Sequence, residues 1–132
     1  MTKTFRNPEN VHAPVANYTH QVEVGSERLL ILSGQIGVKE DGTVPEDALE
    51  QLGVALDNVF RNLDAADMKP RDLLKLTFYH VGEIDSEGRR KVVSDKLKNH
   101  KPCMTLLFVA ALATPRLKVE IEAMASSSQA SA

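Results

Sequence analysis

The sequence of 132 residues has no tryptophan, only one cysteine and no excess of basic charge. Its 16 lysines and arginines face 18 aspartates and glutamates, so the net charge is −2 and no basic stripe can neutralise nucleic-acid phosphates. The single Cys103 excludes an intramolecular disulfide and has no metal-ligand spacing around it, which is typical of a reducing compartment. We therefore predict no nucleic-acid partner and no metal site.

Long hydrophobic runs are also missing. Residues 1–15 lack an apolar signal core, and the longest apolar run, near residues 103–113, is shorter than the roughly 20 residues that span a bilayer. We predict a cytoplasmic protein without a membrane partner. The length suits one domain, here residues 1–132, in which the small polar residues 126–132 are expected to form a disordered tail.

The first half of the chain contains clear periodic segments. Residues 19–24 alternate, a turn signal follows at Gly25 and Ser26, and residues 29–32 are apolar, which predicts a β-hairpin. Thr43 and Glu46 have the spacing of a capping box and would open a helix. Its apolar residues fall on one stripe, formed by Leu49, Leu52, Leu56, Val59, Phe60 and Leu63.

The second half predicts a strand over residues 73–81, a helix over 86–100 and two strands over 104–112 and 117–125, separated at Pro115. The order strand, strand, helix, strand, helix, strand, strand predicts an α+β fold, a mixed sheet with both helices on one face. Because residues 104–112 are apolar throughout, the uncovered face of the sheet predicts self-association.

Two carboxylates lie on one face of the last predicted strand. Glu120 and Glu122 alternate with apolar residues, which places their side chains about 7 Å apart on one side of the strand. A structural interpretation is that Lys118 and solvent neutralise the pair on an edge strand. A functional interpretation is that one carboxylate, at the edge of an apolar interface, transfers a proton in a reaction.

Two other segments have both a functional and a structural interpretation. In SGQIG, residues 33–37, Gly34 and Gly37 would let backbone N–H groups approach a ligand closely, or the segment is an ordinary bulge at a strand end. Tyr18 and His20, on one face of the first predicted strand, either hydrogen-bond a substrate or fill an interface.

The remaining reactive side chains favour structural roles. His80 lies among apolar neighbours, as a satisfied core or interface histidine does. His12 and His100 fall in loops or at a helix end, where they are solvated or cap carbonyls. Cys103 is either a nucleophile or a buried structural thiol, and no basic partner lies near it in the sequence.

Three segments together carry a resemblance to a known family: ANYTHQVEVGSERLLILSGQIG, LKLTFYHVGEID and VAALATPRLKVEIEAMA. Over about residues 12–125 the chain resembles the RidA (YjgF) family of enamine/imine deaminases. The resemblance implies a chorismate-mutase-like α+β protomer and a homotrimer whose sheets enclose a central barrel. It also implies a small-metabolite pocket at each subunit interface and no cofactor.

The resemblance also implies roles for individual residues. Family members hydrolyse imines of the 2-aminoacrylate type to 2-keto acids and ammonia, and Glu120 would orient the attacking water. Tyr18 and Ser33 would line the pocket, and backbone groups near Gly34 and Leu106 would hold the ligand. Glu122 would then be structural, paired with Lys118.

The chain departs from the family pattern beside this pocket. Deaminating members have an arginine in a P-x-R-[ST] pattern, which clamps the substrate carboxylate, whereas this chain has Met104 in Pro102–Thr105. His20, in ANYTH, replaces an amide of the deaminating pattern G-P-Y-[SV]-Q. With Met104 and Thr105 at the clamp segment, we expect reduced activity on 2-aminoacrylate.

The leading hypothesis is thus an interfacial pocket that hydrolyses small imines or enamines. One alternative is a non-catalytic metabolite sensor or interaction trimer that uses the same clefts. Another is hydrolysis of a different C–N bond, such as a carbamate or amide, with Glu120 as general base.

Overall fold

The computed structural model of the chain describes residues 3–25 and 28–128. The strands and helices are, in chain order, β1 (Lys3–Arg6), β2 (Gln21–Val24), β3 (Arg28–Ile36), α1 (Ala48–Ala65), β4 (Leu73–His80), α2 (Ser86–Leu97), β5 (Cys103–Phe108) and β6 (Val119–Ser127), with a 3₁₀ turn at Pro70–Asp72. The main sheet has the strand order β3-β6-β4-β5, in which β4 and β5 run parallel and the other pairs antiparallel. The predicted α+β class and mixed sheet are confirmed.

The long helix α1 forms where the apolar stripe predicts it. Leu52, Leu56, Val59 and Leu63 are fully buried, and the helix packs on β3, β6 and α2. The predicted capping box is wrong, because the cap is Asp47, whose carboxylate accepts a hydrogen bond from the Glu50 amide at 3.0 Å. Asp47 is extended immediately before the first helical residue, so its side chain reaches a free N–H that Thr43 cannot reach.

The last strand, β6, lies in the middle of the sheet and has two different faces. Val119, Ile121 and Ala123 turn towards the helices and are almost completely buried. Glu120 and Glu122 turn the other way, as the alternation predicts. β6 is a central strand and not an edge strand. Its carboxylates point away from the helices and therefore lie on the open face of the sheet.

The predicted hairpin is not formed. β2 pairs with β1 in a separate two-stranded sheet, and β3 pairs with β6. The nine-residue β3 finds an equally long partner in the nine-residue β6, whereas β2 has four residues and is largely exposed. Alternation predicts which face a strand buries, and it does not choose the partner strand. Of the predicted turn, Ser26 lies outside the described residues.

Two predicted boundaries also move. The strand predicted over residues 104–112 ends at Phe108, where the Val109 amide donates to the His80 carbonyl at 2.8 Å. The tail predicted to begin at residue 126 begins later, because Ser126 and Ser127 pair with β3 and Ser126 is buried. Residues 129–132 lie outside the described part of the chain.

The sheet face opposite the helices carries apolar side chains in the open. Leu29, Ile31, Leu107 and Met124 have exposed fractions between 37% and 67%. This agrees with the uncovered face predicted from the sequence, and self-association through it stays a prediction. Neither helix in the described residues is both long enough and apolar enough to cross a membrane.

Candidate active site

A cavity of about 380 Å³ opens beside β5, the edge strand of the main sheet. We call it the edge cavity. Its lining includes four of the predicted site residues, Tyr18, Met104, Thr105 and Leu106. Met104 and Leu106 are the register neighbours of the buried Leu76 and Phe78, so they lie on the helix side of the sheet. The rest of the lining comes from α2 and from the loop that precedes β2.

That loop is tied to both of its neighbours. The Thr19 amide donates to the Pro102 carbonyl at 3.2 Å, and the Thr19 hydroxyl donates to the Lys101 carbonyl at 2.5 Å. The Asn17 side-chain amide donates to the Ser94 hydroxyl on α2 at 3.2 Å. These bonds hold the loop between the start of β5 and α2, and Tyr18 in this loop lines the edge cavity.

The sequence pattern predicts Tyr18 and His20 on a strand, and this prediction is wrong, since β2 begins only at Gln21. The two rings still meet edge to face, with centroids 5.5 Å apart. The Tyr18 hydroxyl accepts from the Val15 amide at 3.3 Å, and His20 Nε2 lies 2.7 Å from the His12 carbonyl oxygen. His20 is thus engaged within the loop and does not line the edge cavity.

The other predicted residues form a second cluster, the bulge site, which consists of Ser33, Gly34 and Glu120. The β3–β6 register slips between Leu32 and Gln35, so Ser33 and Gly34 form a β-bulge within the strand. A Cβ atom at Gly34 would collide with the Glu120 carboxylate, whose carbon would lie 2.7 Å away. The glycine therefore leaves the space that the Glu120 side chain occupies.

Within one protomer the two clusters are separate. Glu120 pairs in register with Tyr79, and Tyr79 pairs with Leu107 on β5. Glu120 is therefore two strand spacings from β5, roughly 10 Å, and on the sheet face opposite Met104. The structure brings four predicted residues together at the edge cavity and three at the bulge site.

Glu122 has a definite partner, which is not the predicted Lys118. The Tyr79 hydroxyl donates to Glu122 Oε1 at 2.5 Å. This hydrogen bond to the carboxylate raises the pKa of Tyr79, and burial and the charge of Glu122 add to the effect. Lys118 precedes β6, and its amide donates to the buried Gln51, whereas Tyr79 lies on the adjacent strand β4. Of the two carboxylates, Glu122 is thus already engaged.

Two arginines that no sequence motif marks, Arg89 and Arg90, line the edge cavity from the first turns of α2. The Arg89 guanidinium lies over the Phe78 ring, 4.7 Å from its centroid, and its Nε donates to His80 Nε2 at 3.2 Å. The only sequence signal was the adjacent basic pair itself, which is typical of a solvated helix face.

His80 is a core residue, as predicted, but it is not fully satisfied. Its side chain is buried, and burial, helped by the charge of Arg89, lowers its pKa to about 4. The ring is therefore neutral near pH 7 and can accept the proton of Arg89 Nε. Its Nδ1 has no hydrogen-bond partner among the described residues. Burial also lowers the pKa of Arg89 below its ordinary value, and the neighbouring Arg90 adds to this.

Cys103 and His100 have structural surroundings. Burial raises the pKa of the Cys103 thiol, against a smaller opposing effect of Lys75, so the thiolate that a nucleophile needs is disfavoured. His100 Nε2 lies 2.8 Å from the Leu73 carbonyl oxygen, in agreement with a carbonyl-capping role. The described residues contain no cluster of side chains that could hold a metal ion.

The model of the family described as "Endoribonuclease L-PSP" matches residues 9–127. The chain belongs to this family, the RidA (YjgF) family of the sequence prediction. The 2-iminobutanoate/2-iminopropanoate deaminase of Escherichia coli K12 is 33% identical over 129 residues, which cover 95% of this chain and 98% of the relative. The RutC family protein YjgH of the same organism is 34% identical over 74 residues, 56% of each chain.

Solved structures of RidA-family proteins match the whole fold. A Rid-family protein of unknown function from Yersinia pestis, YyfB, superposes with a TM-score of 0.84 at 28% identity, covering 96% of this chain and 99% of that one. TdcF of E. coli, solved with bound serine, superposes with a TM-score of 0.71 at 27% identity, covering 95% and 99%.

Proposed function

We propose that the chain is a hydrolytic deaminase of enamine and imine metabolites, which releases carbonyl compounds and ammonia. The observation that carries this proposal is the Glu120 carboxylate at the bulge site. It lies over Gly34, and no described residue donates a hydrogen bond to it. Since Tyr79 engages Glu122, Glu120 is the carboxylate available to a water molecule and a substrate.

The chemistry requires little from the protein beyond orientation and proton transfer. Glu120 holds a water molecule against the C=N carbon and accepts a proton from it as the C–O bond forms, and the imine nitrogen takes up this proton to give a carbinolamine. Glu120 then passes the proton of the carbinolamine hydroxyl to the nitrogen: the C–N bond breaks, its electron pair leaves with ammonia, and the oxygen forms the carbonyl. No cofactor is needed, because the C=N group is itself electrophilic.

The relatives support this reaction class. One relative, which matches 95% of this chain, is named for the deamination of two small imino acids. Another, TdcF, was solved with bound serine, a three-carbon amino acid. RNA cleavage, which the family description names, would benefit from a basic surface, and the net charge of −2 does not favour it. The cytoplasm stays the predicted location.

Met104 is expected to limit which imines the protein hydrolyses. It lines the edge cavity where the deaminating pattern has an arginine, and a thioether offers no charge-assisted hydrogen bond to a carboxylate. We therefore propose that activity on 2-aminoacrylate, which is little more than a carboxylate beside its reactive carbon, is reduced.

We further propose that the protein works as a homotrimer, in which a neighbouring copy brings a bulge site to an edge cavity. The support is the open apolar face of the sheet, since exposed Leu29, Ile31, Leu107 and Met124 have no cover in one protomer. Leu107→Asp would place an unpaired charge in that interface and should dissociate the trimer. Light scattering that finds wild type monomeric at micromolar concentration, or Leu107→Asp trimeric, would contradict the assembly.

The activity is tested with imines generated in the cuvette by a serine or threonine dehydratase, with ammonia and 2-keto acid measured against the uncatalysed rate. Faster release with wild-type protein, and none of this acceleration with Glu120→Gln, is the expected result. Stabilisation by 2-keto acids without any acceleration would favour the metabolite sensor instead. Turnover of carbamates or amides but not imines would favour the other C–N hydrolase.

A further inference from the structure

The edge cavity contains positive charge that the described part of the chain leaves unpaired. Arg89 and Arg90 both line it. Neither is within ion-pair distance of a carboxylate among the described residues, although the described part of the chain forms four ion pairs elsewhere. Adjacent like charges repel, and Arg89 is partly buried, so their proximity costs free energy unless an anion joins them.

The cation nearer the core is held in a defined position. The Phe78 ring supports the face of the Arg89 guanidinium, and neutral His80 accepts from its Nε. This single accepted bond uses one of the five N–H donors of the group and leaves the two terminal nitrogens free of protein partners among the described residues. A guanidinium fixed at its Nε in this way can present its terminal nitrogens as a planar fork, which suits a carboxylate.

The surroundings limit what the anion can belong to. Val15, Val93, Met104 and Leu106 contribute apolar residues to the cavity lining, and Tyr18 also lines it. The volume of about 380 Å³ is within the range of sites for drug-sized ligands, and it far exceeds the size of a three-carbon imino acid. A fitting ligand thus has an apolar part of several carbons as well as its anionic group.

We propose that Arg89 and Arg90 bind the anionic group of an extended, partly apolar ligand in the edge cavity, with Arg89 as the oriented contact and Arg90 as the exposed one. Where this ligand is the substrate, which rests on the proposed function, the substrate class is a 2-imino or enamine acid with a longer apolar side chain. The inference deepens that function by naming the residues that select for charge.

The experiment measures binding without turnover. Calorimetric titrations compare 2-oxohexanoate with 2-oxohexanamide, which have nearly the same size and differ in charge, at low and high salt. Wild type should bind the acid roughly 10- to 100-fold more tightly than the amide, since charge-assisted hydrogen bonds are at stake. Added salt should weaken the binding of the acid and leave that of the amide nearly unchanged.

Three variants assign the preference to residues. Arg90→Gln, at an exposed position, should remove part of the preference for the acid, and Arg89→Lys, which keeps the charge but loses the fork and the Nε contact, should remove more. Arg71→Gln is the matched control, because Arg71 is exposed on the 3₁₀ turn outside the cavity, and it should bind as wild type does. Thermal unfolding checks that each variant is folded.

The outcomes separate this inference from the proposed function. Equal binding of acid and amide, no binding of either at about 10 mM, or an unchanged preference in both arginine variants would overturn the inference even if imines are turned over. A preference for the acid that Arg90→Gln or Arg89→Lys weakens, in a protein that accelerates no imine hydrolysis, would support the inference and overturn the proposed function.

Discussion

The edge cavity and the bulge site differ in the charge they present and in how that charge is kept unpaired. The edge cavity presents two arginines without carboxylate partners, and the bulge site presents the Glu120 carboxylate without a hydrogen-bond donor among the described residues. Within one protomer the sheet separates them, so the two arginines and the carboxylate do not pair with each other. Each therefore keeps its charge for a ligand that the proposed assembly would place between an edge cavity and a neighbouring bulge site.

The largest expected effect is the loss of turnover when the carboxylate of the bulge site is removed. Glu120→Gln keeps the size of the side chain but cannot accept a proton, so turnover of imines should fall by roughly 10²- to 10⁴-fold with the assembly intact. Glu122→Gln is the matched control, one step along the same face, and it should mainly lower stability because it weakens the Tyr79 bond. Equal loss of activity in both variants, measured by ammonia release, would refute the division between the two carboxylates.

A second test alters the edge cavity. Without a clamp at Met104, wild type should deaminate 2-aminoacrylate roughly 30- to 1,000-fold less efficiently than an arginine-bearing relative. Met104→Arg should recover part of this difference, limited by repulsion from Arg89 and Arg90 in the same cavity. Met104→Arg combined with Arg90→Gln should recover more.

The measurement is 2-keto acid formation from 2-aminoacrylate that a dehydratase generates in place. If wild type deaminates 2-aminoacrylate as efficiently as the arginine-bearing relative, an arginine at position 104 is not needed to bind the substrate carboxylate. In that case Arg89 and Arg90 are the first cations to test as its replacement.

A third test displaces the Glu120 carboxylate while residue 120 remains a glutamate. Gly34→Ala would push a methyl group into the carboxylate, and a displaced catalytic group commonly costs up to about 100-fold in rate. The far end of the glutamate can swing away, so the fold should survive. Gly53→Ala is the control, since its nearest side-chain atom would be Lys96 Cε at 4.0 Å, and it should raise stability by about 0.5 to 1 kcal/mol. Unchanged kinetics in Gly34→Ala would mean that the position of Glu120 is not critical.

The last test concerns the support of the edge cavity and is read as stability against pH, with no change in activity required. The pKa of His80 is about 4 in the folded protein and 6.5 ordinarily, so between these values the unfolded chain binds a proton that the folded chain does not. The contribution of neutral His80 to the free energy of unfolding should therefore be fully present above pH 6.5. It should decline as pH falls towards 4, by up to about 3 kcal/mol.

Urea unfolding at several pH values measures this decline. His80→Gln removes the titrating ring while offering Arg89 an oxygen acceptor, and it should flatten the profile over this window. A variant profile as steep as that of wild type would assign the decline to other groups.

Much of the fold follows from local pattern because the pattern reports burial. The α1 stripe and the alternation in β6 both have a buried face, and both elements form as predicted. The family resemblance rests on segments that include the bulge and β6, and these segments contain Gly34 and Glu120, which do lie together.

The wrong cap of α1 is a local error, because Asp47 accepts from an amide only three residues along the chain. The other errors share one cause: the partner strand of β2 and the partner of Glu122 depend on what lies opposite in space, and spacing along the chain does not contain this information. Arg89 and Arg90 give no signal for the same reason, since a basic pair on a weakly patterned helix looks solvated until the loop before β2 is packed beside that helix and forms a cavity with it.

Local chemistry thus sufficed for the class of fold, the family and the carboxylate on the open face, because periodicity and short motifs act over a few residues. Long-range packing chose the strand partners, engaged Glu122 with Tyr79 and set Arg89 between Phe78 and His80. These contacts join residues distant in the sequence, and their energies depend on burial and distance, which exist only once the chain is folded.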